Sequence, residues 1–545
     1  MKIALRLAWI SICLAFALTA RCWNLHDVFI EGGVFFVDGD CYSRMTRVAL
    51  VAEHPGTILR HHDFENWPEG TTPHTTALFD YLILGVKKTL DLGFAVVDPQ
   101  RRSVLHAQTL DLAGALISPL LGLAGTLLLG VWWWRFGVRY GGMAMLMYAI
   151  SPILVHGTVL GRPDHQSLEI FLLTVAGVAE LVLAAPDFLE LPDRRKKIWG
   201  IIAGAAWALS LWVSLYEPLI LLVVVLALWL IASRRALWSP HRRLGIMVGL
   251  VIVIGTLVLE GWRVALPEGA SREYFANWAK TIGELGHLDL RTPLLYGWLG
   301  WMVVAAPVLL VLARKVDRRA LPLLVMLLVT LGLTVWQLRW GYFLAIVFVL
   351  ALPWQLQALP RAWQAWALFI VGLWPVLKDW DDRLYPDDVE AEHVEMVRAD
   401  AAALRTYVTA TAGERAGPVL APWWISPAIA YWTHNACVGG SSHQSLPGNV
   451  DIARFYLSTT PAEAGTILRR RQVQWVIVDD PERVIAQSAA LLGVTPPDKP
   501  LAKTLMETPE EAPGFLRELT VSVADRPGGL RFYRLYVVDS AKLPP

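Results

Sequence analysis

The sequence predicts a polytopic α-helical membrane protein that carries a C-terminal mixed α/β soluble domain. Three observations carry that expectation. Of 545 residues, 55% are hydrophobic and 17% are charged, with a mean hydropathy of +0.45, whereas soluble domains are about 25% charged. The apolar residues gather into runs mostly near the ~20 residues that cross a bilayer as a helix. Basic residues recur after every second run, as they do in cytoplasmic loops. The balance of 48 basic against 47 acidic residues excludes a global positive field for a polyanion, so no nucleic-acid partner is expected. Twenty-six Trp suit a chain with two membrane interfaces, where indole is enriched. Cys13, Cys22, Cys41 and Cys437 are scattered without a CxxC pair. Neither a cysteine metal site nor a disulfide framework is expected, although a single Cys22–Cys41 or Cys41–Cys437 bridge stays open outside the cytosol.

Eleven candidate spans follow in order: residues 3–20, 110–132, 141–156, 168–185, 198–215, 218–232, 244–262, 293–312, 321–336, 342–354 and 363–377. Tight helical hairpins can hide two more, so about eleven to thirteen transmembrane helices are expected. The first run reads as a retained anchor, because Arg21 spoils a small-residue cleavage site before Cys22. Arg135 and Arg139, the run Arg194, Arg195, Lys196 and Lys197, then Arg234, Arg235, Arg242 and Arg243, Arg314, Lys315, Arg318 and Arg319, and Arg361 all follow even-numbered spans. The positive-inside rule makes that side cytoplasmic.

The polar segments 24–109, 157–166, 265–292 and everything after about Lys378 then lie on the exoplasmic side. The expected organisation is a transmembrane domain over 1–378, with exoplasmic loops 24–109 and 265–292, and a periplasmic soluble domain over 379–545. The location is the inner (plasma) membrane, multi-pass. The stretch 78–92 is amphipathic and suits the bilayer interface. In the soluble domain, 389–409 reads as helix, and 474–478 and 531–538 read as strands.

Charged groups near membrane depth usually mark function, and four places stand out. Asp38-Gly39-Asp40, followed by Tyr42, Arg44 and Arg47, pairs two carboxylates suited to a hard cation. Asp164-His165-Gln166 precedes the fourth span; Asp164 suits both a helix N-cap and a metal. Thr281-Ile282-Gly283-Glu284 lies in the second long loop. Arg339 lies between spans nine and ten, where a guanidinium can snorkel or grip a phosphate with two hydrogen bonds.

In this order the parts resemble the catalytic subunit of oligosaccharyltransferases, the AglB/PglB-type GT-C glycosyltransferases. Asp38-Gly39-Asp40 is similar to the family's first acidic motif, and Asp164-His165-Gln166 to its second. Thr281–Glu284 is similar to the TIxE loop motif, and Arg339 to the membrane Arg associated with the donor pyrophosphate. Trp423-Trp424-Ile425-Ser426-Pro427 falls where the family carries WWDYG. The resemblance implies a GT-C fold and a polyprenyl-pyrophosphate-linked glycan donor. It also implies an acceptor protein or peptide at the exoplasmic face of the lipid bilayer, and a Mg²⁺ or Mn²⁺ cofactor. It implies Asp40, Asp164, His165, Gln166 and Glu284 as metal ligands, with Asp40 and Glu284 catalytic. Arg339 would bind the pyrophosphate, Trp423 and Trp424 the acceptor, and 265–292 would be a mobile loop. The implied reaction is metal-dependent, inverting N-glycosylation.

Two departures stand out. Ile425 replaces the Asp that accepts a hydrogen bond from the acceptor's hydroxyl, and Gln166 puts a neutral amide in the second acidic motif. The alternative is a GT-C transferase that uses a polyprenyl-monophosphate sugar on a lipid, glycan or hydroxyl acceptor. A transporter would instead show midplane charges and repeat symmetry, which the sequence lacks.

Overall fold

The computed structural model describes residues 2–73, 75–97, 102–263, 270–414, 416–521 and 531–544. Residues 98–101 of the first long loop and 264–269 at the head of the second fall outside the described residues.

All eleven apolar runs are helical, and the chain is a multi-pass membrane protein. Among the described residues, six helices are long and apolar enough to cross a membrane unaided: Ile3–Arg21, Gln108–Phe136, His165–Leu183, Tyr216–Leu237, Pro240–Glu260 and Leu338–Gln357. Three runs are broken helices: Gly141–Ile150 with Pro152–His156, Leu294–Leu299 with Met302–Ala313, and Ala362–Gly372 with Trp374–Leu384. Pro152 and Pro375 withhold an N–H at two of the breaks, and Gly300 takes a left-handed φ of 74° at the third. Asp193–Val213 and Ala320–Trp336 complete the set.

The chain divides into two compact units. The first comprises Met1–Leu25, Gly114–Gly261 and Glu284–Asp387. Its centre is the helix Gly341–Gln357, buried along nearly its whole length, with Phe348, Leu352 and Trp354 inaccessible. Such a helix is apolar all round because it has no solvent face. Arg21 is fully buried, and its guanidinium donates to Thr158 Oγ1 at 2.8 Å and Ala149 O at 2.9 Å. That ties the end of Lys2–Arg21 to the broken helix.

Helices Asp193–Val213 and Pro240–Glu260 meet backbone to backbone. A Cβ on Gly204 would strike the Gly245 carbonyl, and one on Gly245 the Gly200 carbonyl. Gly200 and Gly204, with Gly245 and Gly249, form two small-xxx-small pairs that permit this approach in a bilayer.

The second unit comprises His26–Ala113, Trp262–Gly283 and Asp388–Pro545, so the first long loop, and the second as far as Gly283, cluster with the C-terminal segment. A hairpin, β1 (Phe29–Ile30) and β2 (Gly33–Val34), opens it. The main sheet holds β3 (Val419–Leu420), β4 (Trp475–Val478), β5 (Leu516–Leu519) and β6 (Arg534–Val538) in the order β3-β4-β6-β5. β3 runs parallel to β4, and the other pairings are antiparallel. β4 is buried at all four positions, as its continuous apolar run predicts. Phe455, Leu468, Val476, Leu505 and Tyr536 form the core beneath the sheet. The amphipathic stretch is the helix Ala77–Val97. It is held to the helix Gly39–Glu53 by Asp80, which pairs with Arg47 and, at 2.7 Å, with Arg44. The basic residues of the first acidic motif are therefore structural. Cys13, Cys22, Cys41 and Cys437 form no disulfide.

Glu65 is 1% exposed and accepts a hydrogen bond from Ser445 Oγ at 2.8 Å. Burial pushes its carboxyl above the usual range, and the hydrogen bonds from Ser43 and Ser445 offset this only in part. A raised folded pKa favours the folded state fully below the unfolded value of about 4.3. That contribution is lost as pH rises through the folded value. Glu65→Gln keeps an acceptor without the charge. It is expected to raise the melting temperature at pH 8 and to flatten its decline between pH 5 and 8. A melting series of wild type and variant across that range checks this.

Candidate active site

In the first unit, five of the residues singled out in the sequence come together: Asp164, His165, Gln166, Glu284 and Arg339. Gly161, with a φ of +75°, and Pro163 turn the chain into the helix His165–Leu183. Ser167 Oγ donates to the Asp164 carbonyl at 2.8 Å, and Ser118 Oγ donates to the Arg162 carbonyl, so the turn is pinned. Asp164 occupies the N-cap position, but its side chain makes no cap hydrogen bond. Its Oδ1 lies 2.6 Å from His165 Nδ1.

Glu284 reaches this turn from a distant stretch of sequence. Leu338 N–H donates to the Gly286 carbonyl at 2.9 Å, Leu288 N–H to the Val335 carbonyl at 3.2 Å, and His287 Nδ1 lies 2.7 Å from the Trp336 carbonyl. This backbone zipper brings Glu284 beside Arg339. Gln166 Nε2 then donates to Glu284 Oε2 at 3.1 Å, and Arg339 Nη1 stands 3.9 Å from Glu284 Oε1.

Sequence reasoning missed the partner of Arg339. Its Nη2 lies 2.5 Å from Oε1 of Glu217, a carboxylate 1% exposed that also accepts from Ser214 Oγ at 2.8 Å. The signal was a lone Glu opening the sixth apolar run in Tyr216-Glu217-Pro218. Arg339 interacts electrostatically with Glu217, Glu284, Glu169 and Asp164 together. Counting Arg162, whose Nη2 reaches Gln166 Oε1 at 3.5 Å, four carboxylates face two guanidiniums. Ionised, the cluster carries two excess negative charges. Glu169 is buried, and its Oε1 has no hydrogen-bond partner among the described residues.

The second unit carries the remaining residues. Asp38 is the N-cap of Gly39–Glu53; its Oδ1 accepts from Cys41 N–H at 3.0 Å. That capping role leaves Asp40, exposed in the first turn, as the motif's outward carboxylate. Trp423 and Trp424 stand edge to face, with ring centroids 5.5 Å apart. Trp278 packs against Trp423 at 5.8 Å. Ile425 is buried. Trp424 Nε1 donates to Asp479 Oδ2 at 3.1 Å, and the Arg483 guanidinium lies 4.6 Å over the Trp424 ring. A cleft of about 10 Å³, lined by both Trp, Asn449, Gln487 and Ser488, has room for about one water. Burial raises the Asp479 carboxyl above its ordinary range. Trp424→Phe strips a donor from that buried carboxylate and is expected to destabilise the unit by about 1.5–3 kcal/mol. Chemical denaturation of the detergent-solubilised protein measures it.

Among the described residues, no three His, Cys, Asp or Glu side chains group to hold a metal ion. The oxygen donors of Asp164, Gln166 and Glu284 and the orphaned Glu169 oxygen nevertheless suit a hard divalent cation. Mg²⁺ commonly uses only one or two carboxylates, with water and substrate phosphate completing its shell.

The helical membrane bundle and the α/β unit are the elements of the GT-C fold. The solved structures the chain resembles include oligosaccharyltransferases. The Archaeoglobus fulgidus oligosaccharyltransferase, tethered to an acceptor peptide containing the NVT sequon, matches with a TM-score of 0.68 at 15% identity, over 96% of this chain and 74% of that one. The same archaeon's AglB, in complex with an inhibitory peptide and a dolichol-phosphate, matches with a TM-score of 0.67 at 16% identity, over 100% and 75%. ArnT from Cupriavidus metallidurans, bound to undecaprenyl phosphate, matches with a TM-score of 0.51 at 15% identity, over 99% of both chains.

In sequence, the chain is 27% identical over 227 residues to the dolichyl-monophosphooligosaccharide–protein glycotransferase AglB of Haloferax volcanii. The match covers 38% of this chain and about a fifth (20%) of that relative's length. No protein-family model matches. The AglB/PglB-type resemblance read from the motifs thus recurs in both comparisons, and the fold is GT-C.

Proposed function

We propose that the protein is an oligosaccharyltransferase-like glycosyltransferase. It moves a glycan from a polyprenyl-pyrophosphate donor to an acceptor protein at the exoplasmic membrane face, with inversion. The observation that carries this reading is the Arg339–Glu217–Glu284–Gln166 cluster beside Asp164. A guanidinium held at the end of an apolar bundle suits a phosphate whose lipid tail lies in the bilayer.

In this reading Arg339 steadies charge on the departing phosphate oxygen as the bond to the anomeric carbon breaks. Glu217 fixes one face of the guanidinium. The acceptor nitrogen forms the new bond, and its proton passes to a carboxylate, for which Glu284 and Asp40 are the candidates. Trp423 and Trp424 hold the acceptor, and the 265–292 loop orders as it binds. Asp164, Gln166, Glu284, Asp40 and His165 would hold Mg²⁺ or Mn²⁺, which when bound neutralises charge on the leaving phosphate.

Specific observations favour a second reading, a transferase that takes its sugar from a polyprenyl monophosphate. Ile425 withholds the carboxylate that would select a sequon hydroxyl. The Haloferax relative's name specifies a monophosphate donor, and ArnT aligns over 99% of both chains.

The test offers purified protein, Mn²⁺ and undecaprenyl-pyrophosphate oligosaccharide to three fluorescent peptides: one with Asn-x-Ser/Thr, one with Asn but no hydroxyl, and one with Ser/Thr only. A mass shift on an Asn peptide is the expected result. No transfer to any peptide, with transfer from a monophosphate donor to a lipid or glycan, establishes the second reading instead.

A further inference from the structure

One buried guanidinium of the candidate site has no part in the proposed reaction. Arg162 stands two residues before Asp164 and is buried. Its turn is tied to neighbouring helices. Leu160 N–H donates to the Arg21 carbonyl at 2.8 Å, Gly161 N–H to the Ala115 carbonyl at 3.0 Å, and Ser118 Oγ to the Arg162 carbonyl. The side chain therefore starts from a fixed backbone, which lowers the ordering cost of gripping a ligand.

The contacts of its guanidinium are long. Nη1 lies 3.4 Å from His156 Nε2, and Nη2 lies 3.5 Å from Gln166 Oε1, whereas a well-formed N–H···O bond is about 2.7–3.2 Å. The guanidinium can turn from both to a phosphate oxygen and gain a shorter, charge-assisted bond. His156 fits that use. A guanidinium only donates, so His156 Nε2 accepts, and Nδ1 carries the hydrogen toward the Tyr342 hydroxyl oxygen at 2.8 Å. The imidazole is then neutral and orients Arg162 without adding charge. Its ring is exposed while Arg162 and Tyr342 are buried, so a ligand reaches the guanidinium from the His156 side. Arg383 also faces His156 but is engaged with Asp379 at 2.6 Å.

Gln166 joins Arg162 to Arg339. Its Oε1 faces Arg162, and its Nε2 donates at 3.1 Å to Glu284, whose Oε1 lies 3.9 Å from Arg339 Nη1. An amide supplies an acceptor to one neighbour and a donor to the other, which a carboxylate cannot. Two guanidiniums thus flank one amide–carboxylate bridge. A single phosphate suits one guanidinium fork. A diphosphate, with two phosphates sharing one oxygen, presents oxygens to both.

We propose that Arg162 is a specificity-determining residue of the donor site: Arg339 holds one phosphate of a polyprenyl diphosphate and Arg162 holds the other. The inference rests on the transferase reading and deepens it, because it selects the diphosphate donor over the monophosphate.

Undecaprenyl pyrophosphate and undecaprenyl phosphate, titrated separately into the purified full chain in detergent with Mn²⁺, test the inference through the ratio of their Kd values. The wild type is expected to bind the pyrophosphate more tightly. Arg162→Gln is expected to reduce that preference about 30-fold, the scale on which truncating one partner of a hydrogen-bonded charge pair weakens binding. Arg162→Lys keeps the charge without the planar fork and is expected to recover part of it. A folding defect weakens both lipids together, so the ratio separates this role from a structural one. An unchanged ratio in Arg162→Gln, or an equal loss of both lipids, overturns the inference; wild-type transfer from the pyrophosphate donor then still upholds the proposed reaction. A wild type that prefers the monophosphate overturns both the inference and the pyrophosphate donor.

Discussion

Glu284→Ala is expected to lower glycan transfer by at least about 10²-fold, the scale seen when one preorganised charge-stabilising group is removed from an active site. Stability should change little. Glu284 has a side chain 38% exposed, sits on the single turn Gly283–Leu285, and makes its nearest contact with Gln166 at 3.1 Å. The backbone bonds that position this stretch run through Gly286, His287 and Leu288 and do not involve its carboxylate. The measurement is initial rate on the best peptide, with melting temperature and membrane insertion as controls. Asp40→Ala is expected to behave in the same way, since Asp40 is exposed and Asp38 alone caps the helix. Normal transfer by both variants would remove the catalytic assignment of these carboxylates.

Arg339→Leu is expected to damage both activity and stability. Glu217 is 1% exposed and loses a guanidinium only 2.5 Å away. Breaking a buried pair from one side costs about 3–5 kcal/mol, because the remaining charge stays buried without its counter-charge. The double variant Arg339→Leu with Glu217→Leu removes both charges and is expected to recover most of the stability while staying inactive. A double-mutant cycle on unfolding and on transfer rate separates the two effects. Arg339→Lys keeps the charge but not the planar fork. It is expected to stay folded and to transfer poorly. A stable, inactive double variant supports a phosphate-binding role, whereas an active one reduces Arg339 to a structural counter-charge.

The membrane class was legible because bilayer insertion is nearly a local sum over about twenty residues. Each of the eleven runs could be read without reference to the others, and each is helical. β4 and β6 were legible as β-branched and aromatic runs near 474–478 and 531–538. β3 was not, since Val419–Leu420 is two residues long and is defined only by pairing with β4. β5 was missed because Leu516–Leu519 carries Arg517 and Glu518 in its middle.

In the candidate site, Asp164, Gln166, Glu284 and Arg339 were each visible as polar residues in a charge-poor chain. Their mutual contacts were not. Glu217 and Arg339 are far apart in sequence, with four apolar spans between the turns that bear them. No local pattern announces that pair. Trp424 illustrates the same limit in the second unit. The motif draws attention to its indole, but the bond from its N–H to Asp479, 55 residues on, could not be read from the sequence.

The sequence by itself determined the bilayer as solvent, the run of helices, the mixed α/β segment and the supply of carboxylates and guanidiniums at the span mouths. These follow from composition and short-range hydrophobic pattern. Only the tertiary structure decided which charges meet and which basic residues are merely structural, as Arg44 and Arg47 are on Asp80. Those outcomes depend on packing between distant segments, and in a low-dielectric interior a shift of a few ångströms separates a matched charge from a costly one.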